Sequence, residues 1–202
     1  MIFDLNPTPY LLTKVDGCEK LNKHYDELLK SEEYRPQIKD KHSKVNSTYA
    51  HTGAEDQQDI YDKLMDSIFP YFAKYINSFG LSTNKINFGM DVWHNIYNKG
   101  DHQAVHSHCS CNNVFSFIYF VKLPPNSGDV CFFGNDLSKH FYYTGFNDIL
   151  INPITDKFVP KVETGSLIIF PSHREHYVSF NESGDERITI SGNIGVKLDA
   201  DI

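Results

Sequence analysis

The sequence predicts a mainly β protein with N-terminal helices, whose β part is a double-stranded β-helix, the jelly-roll architecture of cupin-like proteins. The chain of 202 residues is long enough for one well-buried core. Aromatic residues make up 14% of it, and most of them lie in segments that alternate between apolar and polar positions, as strands do. Helical periodicity is confined to the beginning of the chain, and the eight strands predicted after it have no helix between them.

The N-terminal part, residues 1–84, is predicted to be a helical segment that packs on a catalytic core formed by residues 85–202, the two making one structural unit. Residues 8–15 have the composition of a short strand. Asp16 precedes Glu19 by three residues, which is the spacing of a capping box, so a first helix is expected to begin there.

Two breaks divide the rest of this N-terminal part. Pro36 is expected to end the first helix. Residues 37–53 are polar and without periodicity, which predicts a loop. A second helix is predicted from about residue 55 to residue 78, with Pro70 kinking it or dividing it in two.

Alternation replaces helical periodicity from residue 85 onward. Turn signals rich in glycine, proline and asparagine separate most of the alternating segments. The predicted strands are residues 86–97, 102–108, 113–122, 129–133, about 157–162, 166–170, 175–180 and 186–196.

The charge balance argues against a nucleic-acid partner. The net charge is −7 with no cluster of Lys or Arg. No apolar run approaches the roughly 20 residues that span a bilayer, and the first residues lack the basic region of a signal peptide. The expectation is a cytoplasmic protein with no membrane and no nucleic-acid contact.

Two histidines stand out because of their spacing. In an extended segment, His106 and His108 project from one face, so both imidazoles can reach one metal ion. The best candidate for a third ligand is His176, because in an eight-strand roll the second and seventh strands are neighbours. Asp101 and Asp129 are the nearest carboxylates, and their positions beside glycines favour turn roles.

The four cysteines allow a second interpretation, in which some of them bind zinc. None is in a C-x-x-C pair, and in a reducing cytosol all are expected to be free thiols. Cys109 and Cys111 together with the two histidines resemble a zinc cluster, but Cys109 lies on the opposite strand face. Packing roles for these two cysteines are the simpler interpretation.

The last predicted strand carries a candidate anion receptor. Arg187, Thr189 and Ser191 alternate onto one face. A buried guanidinium flanked by hydroxyl groups binds a carboxylate in bidentate fashion.

Several motifs recur in an order that resembles a known family. They are Trp93-x-Asn95-x-Tyr97-x-x-Gly100-Asp101, His106-x-His108, Ser116-x-Ile118-Tyr119-Phe120, Gly165-x-Leu167-Ile168-Ile169-Phe170-Pro171-Ser172-x-x-x-His176 and Arg187-Ile188-Thr189-Ile190-Ser191-x-Asn193. Over this half of the chain the sequence resembles the iron(II)- and 2-oxoglutarate-dependent dioxygenases. The resemblance points in particular to the prolyl-hydroxylase-like group of small bacterial and phage members.

The resemblance implies roles for several residues. His106 and His176 match the two histidine ligands, and Arg187 matches the residue that binds the distal carboxylate of 2-oxoglutarate. His108 stands where the family has an aspartate, which leaves three possibilities: a three-histidine iron site, a site in which His108 turns away and water or chloride takes its place, or a degenerate protein.

A second departure concerns the cosubstrate pocket. Phe120 stands where prolyl hydroxylases often have a tyrosine, and Tyr97 or Tyr119 is the candidate substitute, with Tyr97 favoured. Thr189 and Ser191 complete the expected cosubstrate contacts.

The activity implied by the resemblance is hydroxylation with Fe(II), 2-oxoglutarate and O2, in which 2-oxoglutarate is decarboxylated to succinate. The substrate is an unidentified small molecule or peptide, with a prolyl residue as the first expectation. A phage-encoded protein would work in the host cytoplasm. The alternatives are a three-histidine cupin-type enzyme that does not use 2-oxoglutarate and a catalytically silent jelly-roll binding module.

Overall fold

Two antiparallel sheets and two helices make up the described part of the chain. The computed structural model describes residues 8–36, 43–49, 60–81, 86–110, 113–133 and 157–198. The elements in chain order are β1 (Leu11–Lys14), α1 (Cys18–Leu28), β2 (Asn46–Ser47), α2 (Asp62–Asn77), β3 (Ile86–Tyr97), β4 (Gln103–His106), β5 (Asn113–Lys122), β6 (Val130–Phe133), β7 (Lys157–Phe158), β8 (Ser166–Pro171), β9 (His176–Val178) and β10 (Arg187–Leu198).

The strands follow the jelly-roll order. One sheet has the order β1-β8-β5-β10-β3-β2 and the other has the order β4-β9-β6-β7. β3 and β10 are paired over their whole length, from Arg187 opposite Tyr97 to Leu198 opposite Ile86. The predicted double-stranded β-helix is therefore confirmed, with no helix between the strands that follow α2 in the described residues.

Alternation along the larger sheet creates two cores. On one face, Ile118 and Phe120 of β5 pack with Val130 and Phe132 of the smaller sheet. On the other face, residues of the same strands, among them Tyr119, pack with both helices. Because β5 is buried on both faces, its position in the sheet is fixed by packing from both sides.

The N-terminal part adds strands to the sheet as well as helices. β1 pairs with β8, and β2 pairs with β3. β2 lies inside residues 37–53, where only a loop was expected, so that expectation is wrong for Asn46–Ser47. The division of the chain at residues 84 and 85 stays a prediction.

The two helices differ in detail from expectation. α1 has Gly17 as its N-cap with φ 69° and no side-chain cap, so the predicted capping box of Asp16 and Glu19 is absent. Glycine adopts this left-handed conformation without the strain of a Cβ. α1 also ends at Leu28, well before Pro36.

α2 continues through Pro70 as one helix. Pro70 is exposed, so the hydrogen bond that proline cannot form faces the solvent side of the helix. The predicted residues 55–59 of this helix lie outside the described residues. Neither described helix is long and apolar enough to cross a membrane.

Candidate active site

Three imidazoles meet between the two sheets. His106 ends β4 and His176 begins β9, and the two are direct partners in the β4–β9 pairing. His108 follows two residues after His106, and its backbone N–H donates to the carbonyl of Ser172 at 2.9 Å. One ligand atom from each of the three histidines lies within 4.8 Å of the others.

Backbone carbonyls orient two of these rings. Nδ1 of His106 lies 2.7 Å from the carbonyl of Ala104, and Nδ1 of His176 lies 3.0 Å from the carbonyl of Arg174. A carbonyl only accepts, so Nδ1 carries the proton in both rings. The lone pair is then on Nε2, which is the arrangement that metal-binding histidines use.

Burial keeps two of the three imidazoles neutral. It lowers the pKa of His176 to about 3, with repulsion from His106 and His108 adding to the effect. Burial and then repulsion from His106 lower the pKa of His108 to about 4. Both rings are therefore unprotonated at neutral pH, as metal binding requires.

Neither a carboxylate nor a cysteine joins the three histidines in the described part of the chain. Asp101 is a turn residue, as expected, because its Oδ2 accepts from the backbone N–H of Asn98 at 2.9 Å. Cys18, Cys109 and Cys131 are free thiols. Cys109 is exposed outside the cluster, and Cys111 lies outside the described residues.

A narrow cavity is lined by the three histidines and extends into the roll, and side chains leave only about 10 Å³ of it open to a water-sized molecule. Two strands of the larger sheet form one wall. β3 contributes Trp93, Asn95 and Tyr97, and β10 contributes Ser191, Thr189 and Arg187 directly opposite them.

Arg187 is the charged group of this cavity. It is fully buried, and in the described residues no carboxylate forms an ion pair with it. Nη1 donates to the carbonyl of Gly128 at 2.8 Å, and the guanidinium carbon lies 5.2 Å from the centre of the Tyr97 ring. Nε is buried without a partner. Burial lowers the pKa of Arg187, with a smaller opposing effect from the charge of Asp129. Arginine stays charged in proteins, and among the described residues no carboxylate is in direct contact with this guanidinium.

The structure separates the two candidate tyrosines. Tyr97 lines the cavity and donates from its hydroxyl to Oε1 of Gln103 at 2.9 Å. Burial raises its pKa to about 12, which keeps the hydroxyl protonated. Tyr119 of β5 lies on the face of the larger sheet that packs against the helices, away from the cavity. Its hydroxyl donates to Oδ1 of Asn22 at 2.6 Å. It belongs to the helix-side core and does not line the cavity.

Two polar residues of the cavity wall had no role assigned from the sequence. Asn95 is 1% exposed, and its Oδ1 has no hydrogen-bond partner, while its Nδ2 donates to Oγ of Ser191 at 3.4 Å. Gln103 accepts from Tyr97. The role of Asn95 was predictable from its spacing: it lies two residues from Tyr97 on β3, and residues two apart share a strand face, so it was expected to face the cavity with Tyr97.

The residues present fit a divalent metal and a dicarboxylate. Three imidazoles, two of them oriented by backbone carbonyls, form a ligand set for a transition metal such as iron. A buried guanidinium that has an unpartnered N–H and touches no carboxylate of the described residues is complementary to a carboxylate. Both features line one cavity, so a single molecule can contact both once the side chains that fill the cavity move aside.

A family model agrees with this geometry. Residues 91–193, just over half of the chain, match the model of a 2OG-Fe(II) oxygenase family. The match runs from β3 to β10 and includes all three histidines and Arg187. No curated protein matches the chain in sequence.

Solved structures share the fold at low sequence identity. A prolyl-4-hydroxylase from Pseudomonas putida has a TM-score of 0.62 and 12% identity, over 93% of this chain and 92% of that one. HygX from Streptomyces hygroscopicus, solved with nickel and 2-oxoglutarate, has a TM-score of 0.61 and 10% identity, over 93% and 83%. EvdO2 from Micromonospora carbonacea var. aurantiaca has a TM-score of 0.58 and 12% identity, over 96% and 89%. At these identities the likeness shows the fold alone.

Proposed function

This chain belongs to the 2OG-Fe(II) oxygenase family, and from that premise we propose that it is a hydroxylase whose metal is held by His106, His108 and His176 and whose 2-oxoglutarate is held by Arg187. One observation carries the proposal. A cluster of three imidazoles and a buried guanidinium whose Nε–H has no partner line the same cavity.

Arg187 accounts for the choice of cosubstrate. The distal carboxylate of 2-oxoglutarate supplies the negative charge that the buried guanidinium lacks, and its oxygens accept from the unpartnered Nε–H. The Tyr97 ring lies beside this position, and Thr189 lines the cavity there with a hydroxyl that can donate to the carboxylate. Val178 and Ile118 line the same cavity and exclude water from it.

When bound, Fe(II) and 2-oxoglutarate supply the oxidising chemistry, in which O2 converts 2-oxoglutarate to succinate and CO2 and oxygen is inserted into a substrate C–H bond. His106 and His176 would bind the metal through Nε2, because the Ala104 and Arg174 carbonyls keep the proton on Nδ1 and fix both rings. The pairing of β4 with β9 fixes His106 and His176 relative to each other, because His106 ends β4 directly opposite His176, which begins β9.

His108 serves as the third ligand in this proposal. Its low pKa keeps the ring neutral, and its ligand atom already lies within reach of the other two. A site of three imidazoles leaves the full charge of Fe(II) in place, whereas the aspartate of the H-x-D pattern would neutralise part of it. A metal held by these three residues would keep more of its charge for the anionic end of 2-oxoglutarate.

The substrate is a small molecule or a peptide, and a prolyl residue in a peptide is the first candidate to examine. Incubation with proline-containing peptides, Fe(II), 2-oxoglutarate and O2 tests this choice through a mass increase of one oxygen atom on the peptide. The narrower assignment to a phage group of the family stays a prediction.

Succinate formation tests the proposed function itself. The purified protein with Fe(II), ascorbate and 2-oxoglutarate is expected to produce succinate in air, and His176→Ala is expected to lose this activity. Tight metal binding without any effect of 2-oxoglutarate would instead favour a three-histidine enzyme of the cupin type.

A further inference from the structure

Three buried polar side chains lie close to the histidine cluster but outside the cavity. Ser116 of β5 and Asn193 of β10 are each 2% exposed, and Ser172, which follows β8, is 1% exposed. None of the three is among the described residues that line the cavity. Contact with the metal or with 2-oxoglutarate therefore does not account for these polar groups, although all three belong to the motifs that resemble the oxygenases.

Hydrogen bonds join the three side chains into one network. Oγ of Ser116 donates to Oδ1 of Asn193 at 3.0 Å and lies 2.9 Å from Oγ of Ser172. Because the Ser116 hydroxyl has only one proton, Ser172 is the donor in the second of these bonds. The network thus connects β10, β5 and the segment that follows β8.

The backbone of Ser172 extends this network to the histidine cluster. Its N–H donates to the carbonyl of Val114 at 3.0 Å, and its carbonyl accepts from the N–H of His108 at 2.9 Å. Together with the hydroxyl bond to Ser116, three polar groups of Ser172 are engaged. The position of its carbonyl is therefore set by the interior of the larger sheet.

His108 depends on such a contact more than the other two histidines do. The β4–β9 pairing places His106 directly opposite His176. His108 lies two residues beyond the end of β4, where this pairing no longer holds the chain. In the described residues its backbone makes two hydrogen bonds, from its N–H to Ser172 at 2.9 Å and to its carbonyl from Nδ2 of Asn113 at 3.4 Å. The Ser172 bond is the shorter of the two.

We propose that Ser116, Ser172 and Asn193 are positioning residues that hold His108 within reach of the metal. A ligand has to be placed within about 0.5 Å of its productive position. Loss of a hydroxyl from the network leaves its buried partner unpaired, so the segment around Ser172 shifts to regain a hydrogen bond, and His108 moves with it. The inference rests on the proposed function, because it concerns His108 as the third metal ligand.

Titration of the metal-free full-length protein with Co(II) tests this role without turnover. Calorimetry measures the affinity, and the visible absorption of Co(II) reports the number and type of its ligands. Ser116→Ala is expected to weaken Co(II) binding about threefold to tenfold and to shift the spectrum toward that of His108→Ala. Ser172→Ala removes the same hydrogen bond from the other side and is expected to give the same result.

A double-mutant cycle separates positioning from a general loosening of the fold. In a protein that already carries His108→Ala, adding Ser116→Ala is expected to change the Co(II) affinity by less than about twofold. A general loosening would weaken binding in both backgrounds.

Ser166→Ala is the matched control. Ser166 is also a buried serine, 4% exposed, at the opposite end of β8. Its Oγ accepts from the backbone N–H of Glu163 at 2.9 Å, so its replacement also removes a buried hydrogen bond. Its Co(II) affinity is expected to equal that of the unmodified protein.

Three results would overturn the inference: unchanged Co(II) binding in both Ser116→Ala and Ser172→Ala, an equal loss with and without His108, or an equal loss in Ser166→Ala. Failure of the proposed ligand set has a different signature. In that case His108→Ala itself would bind Co(II) as tightly as the unmodified protein, and the positioning role would be refuted with it.

Discussion

His106 and His176 face each other across the pairing of β4 and β9, with their ring centroids 4.2 Å apart. They are separated by a long stretch of chain but occupy directly opposed positions in the smaller sheet. Each has a backbone carbonyl, two residues earlier, at its Nδ1. The two ligands are thus positioned by the sheet itself, and His108 joins them from the segment after β4.

Removal of the His108 ring tests whether it is a ligand. His108→Ala is expected to lower the affinity for Fe(II) or Zn(II) about tenfold or more, since one of three protein ligands is lost. His102→Ala is the control, because His102 packs against Phe180 at 4.4 Å and is not part of the cluster. Calorimetric titration measures both. Equal affinities in His108→Ala and the unmodified protein would mean that His108 does not bind the metal.

The two tyrosines are expected to respond differently to loss of the hydroxyl. Tyr97→Phe removes the hydroxyl that donates to Gln103 at the Arg187 end of the cavity; Gln103 is then less well positioned, and 2-oxoglutarate binding is expected to weaken severalfold. Tyr119→Phe breaks the bond to Asn22 in the other core and is expected to cost about 1 kcal/mol of stability without altering 2-oxoglutarate binding. Titration of the metal-loaded variants and urea denaturation distinguish these effects. Weaker binding in Tyr119→Phe alone would reverse the assignment.

Much of this site was predictable because strand periodicity carries the information. The i, i+2 spacing of His106 and His108 and the strand order of a jelly roll were enough to bring His176 to them. The face on which Tyr119 lies was not predictable. β5 is buried on both sides, so its sequence does not alternate between apolar and polar residues, and alternation is what would distinguish its two faces. β2 was missed because two polar residues become a strand only through pairing with β3.

The start of α1 shows a similar limit. The capping-box spacing of Asp16 and Glu19 was present, but Gly17 between them takes the left-handed conformation and becomes the N-cap. The backbone N–H of Asp16 instead donates to the Tyr71 hydroxyl on α2 at 2.9 Å. A tertiary contact with α2 thus replaces the local capping pattern. Such a contact is not encoded in the local sequence.

Stability of the metal-free protein is expected to fall with pH below about 6.5. The pKa values of His108 and His176 are about 4 and about 3 in the folded protein, below the ordinary value of 6.5. Between these limits the unfolded chain binds protons that the folded protein does not, so each histidine adds a slope of up to about 1.4 kcal/mol per pH unit. Above pH 7 both states are neutral at these rings and the contribution vanishes.

Urea denaturation in EDTA at several pH values between 4.5 and 7.5, as ~1-unit steps, measures this dependence. The double variant His108→Gln/His176→Gln provides the control, since it lacks both titrating rings and is expected to show a shallower dependence. An identical dependence in the control would assign the acid sensitivity to other groups.

Gly128 connects stability to the cosubstrate site. It has φ 87°, and a Cβ there would lie 2.4 Å from the carbonyl oxygen of Ser179. Gly128→Ala is therefore expected to lower the free energy of unfolding by about 2 kcal/mol. Its own carbonyl accepts from Arg187, so weaker 2-oxoglutarate binding is expected as well.

Gly184→Ala is the matched control, because a Cβ at Gly184 meets nothing within 4 Å. Its free energy of unfolding is expected to stay within about 0.5 kcal/mol of the unmodified protein. Thermal or urea denaturation compares the two variants. Equal stability of both would show that the turn relaxes to accept a side chain.

The pairing of the histidine cluster with Arg187 in one 2-oxoglutarate site is tested most directly by anaerobic loading with Fe(II) followed by 2-oxoglutarate. The chelate is expected to give a visible charge-transfer band at about 500 nm. Arg187→Ala is expected to bind Fe(II) but to lose the band at the same 2-oxoglutarate concentration. Fe(II) bound by the unmodified protein without any band, or an equal band in Arg187→Ala, would contradict this account of the site.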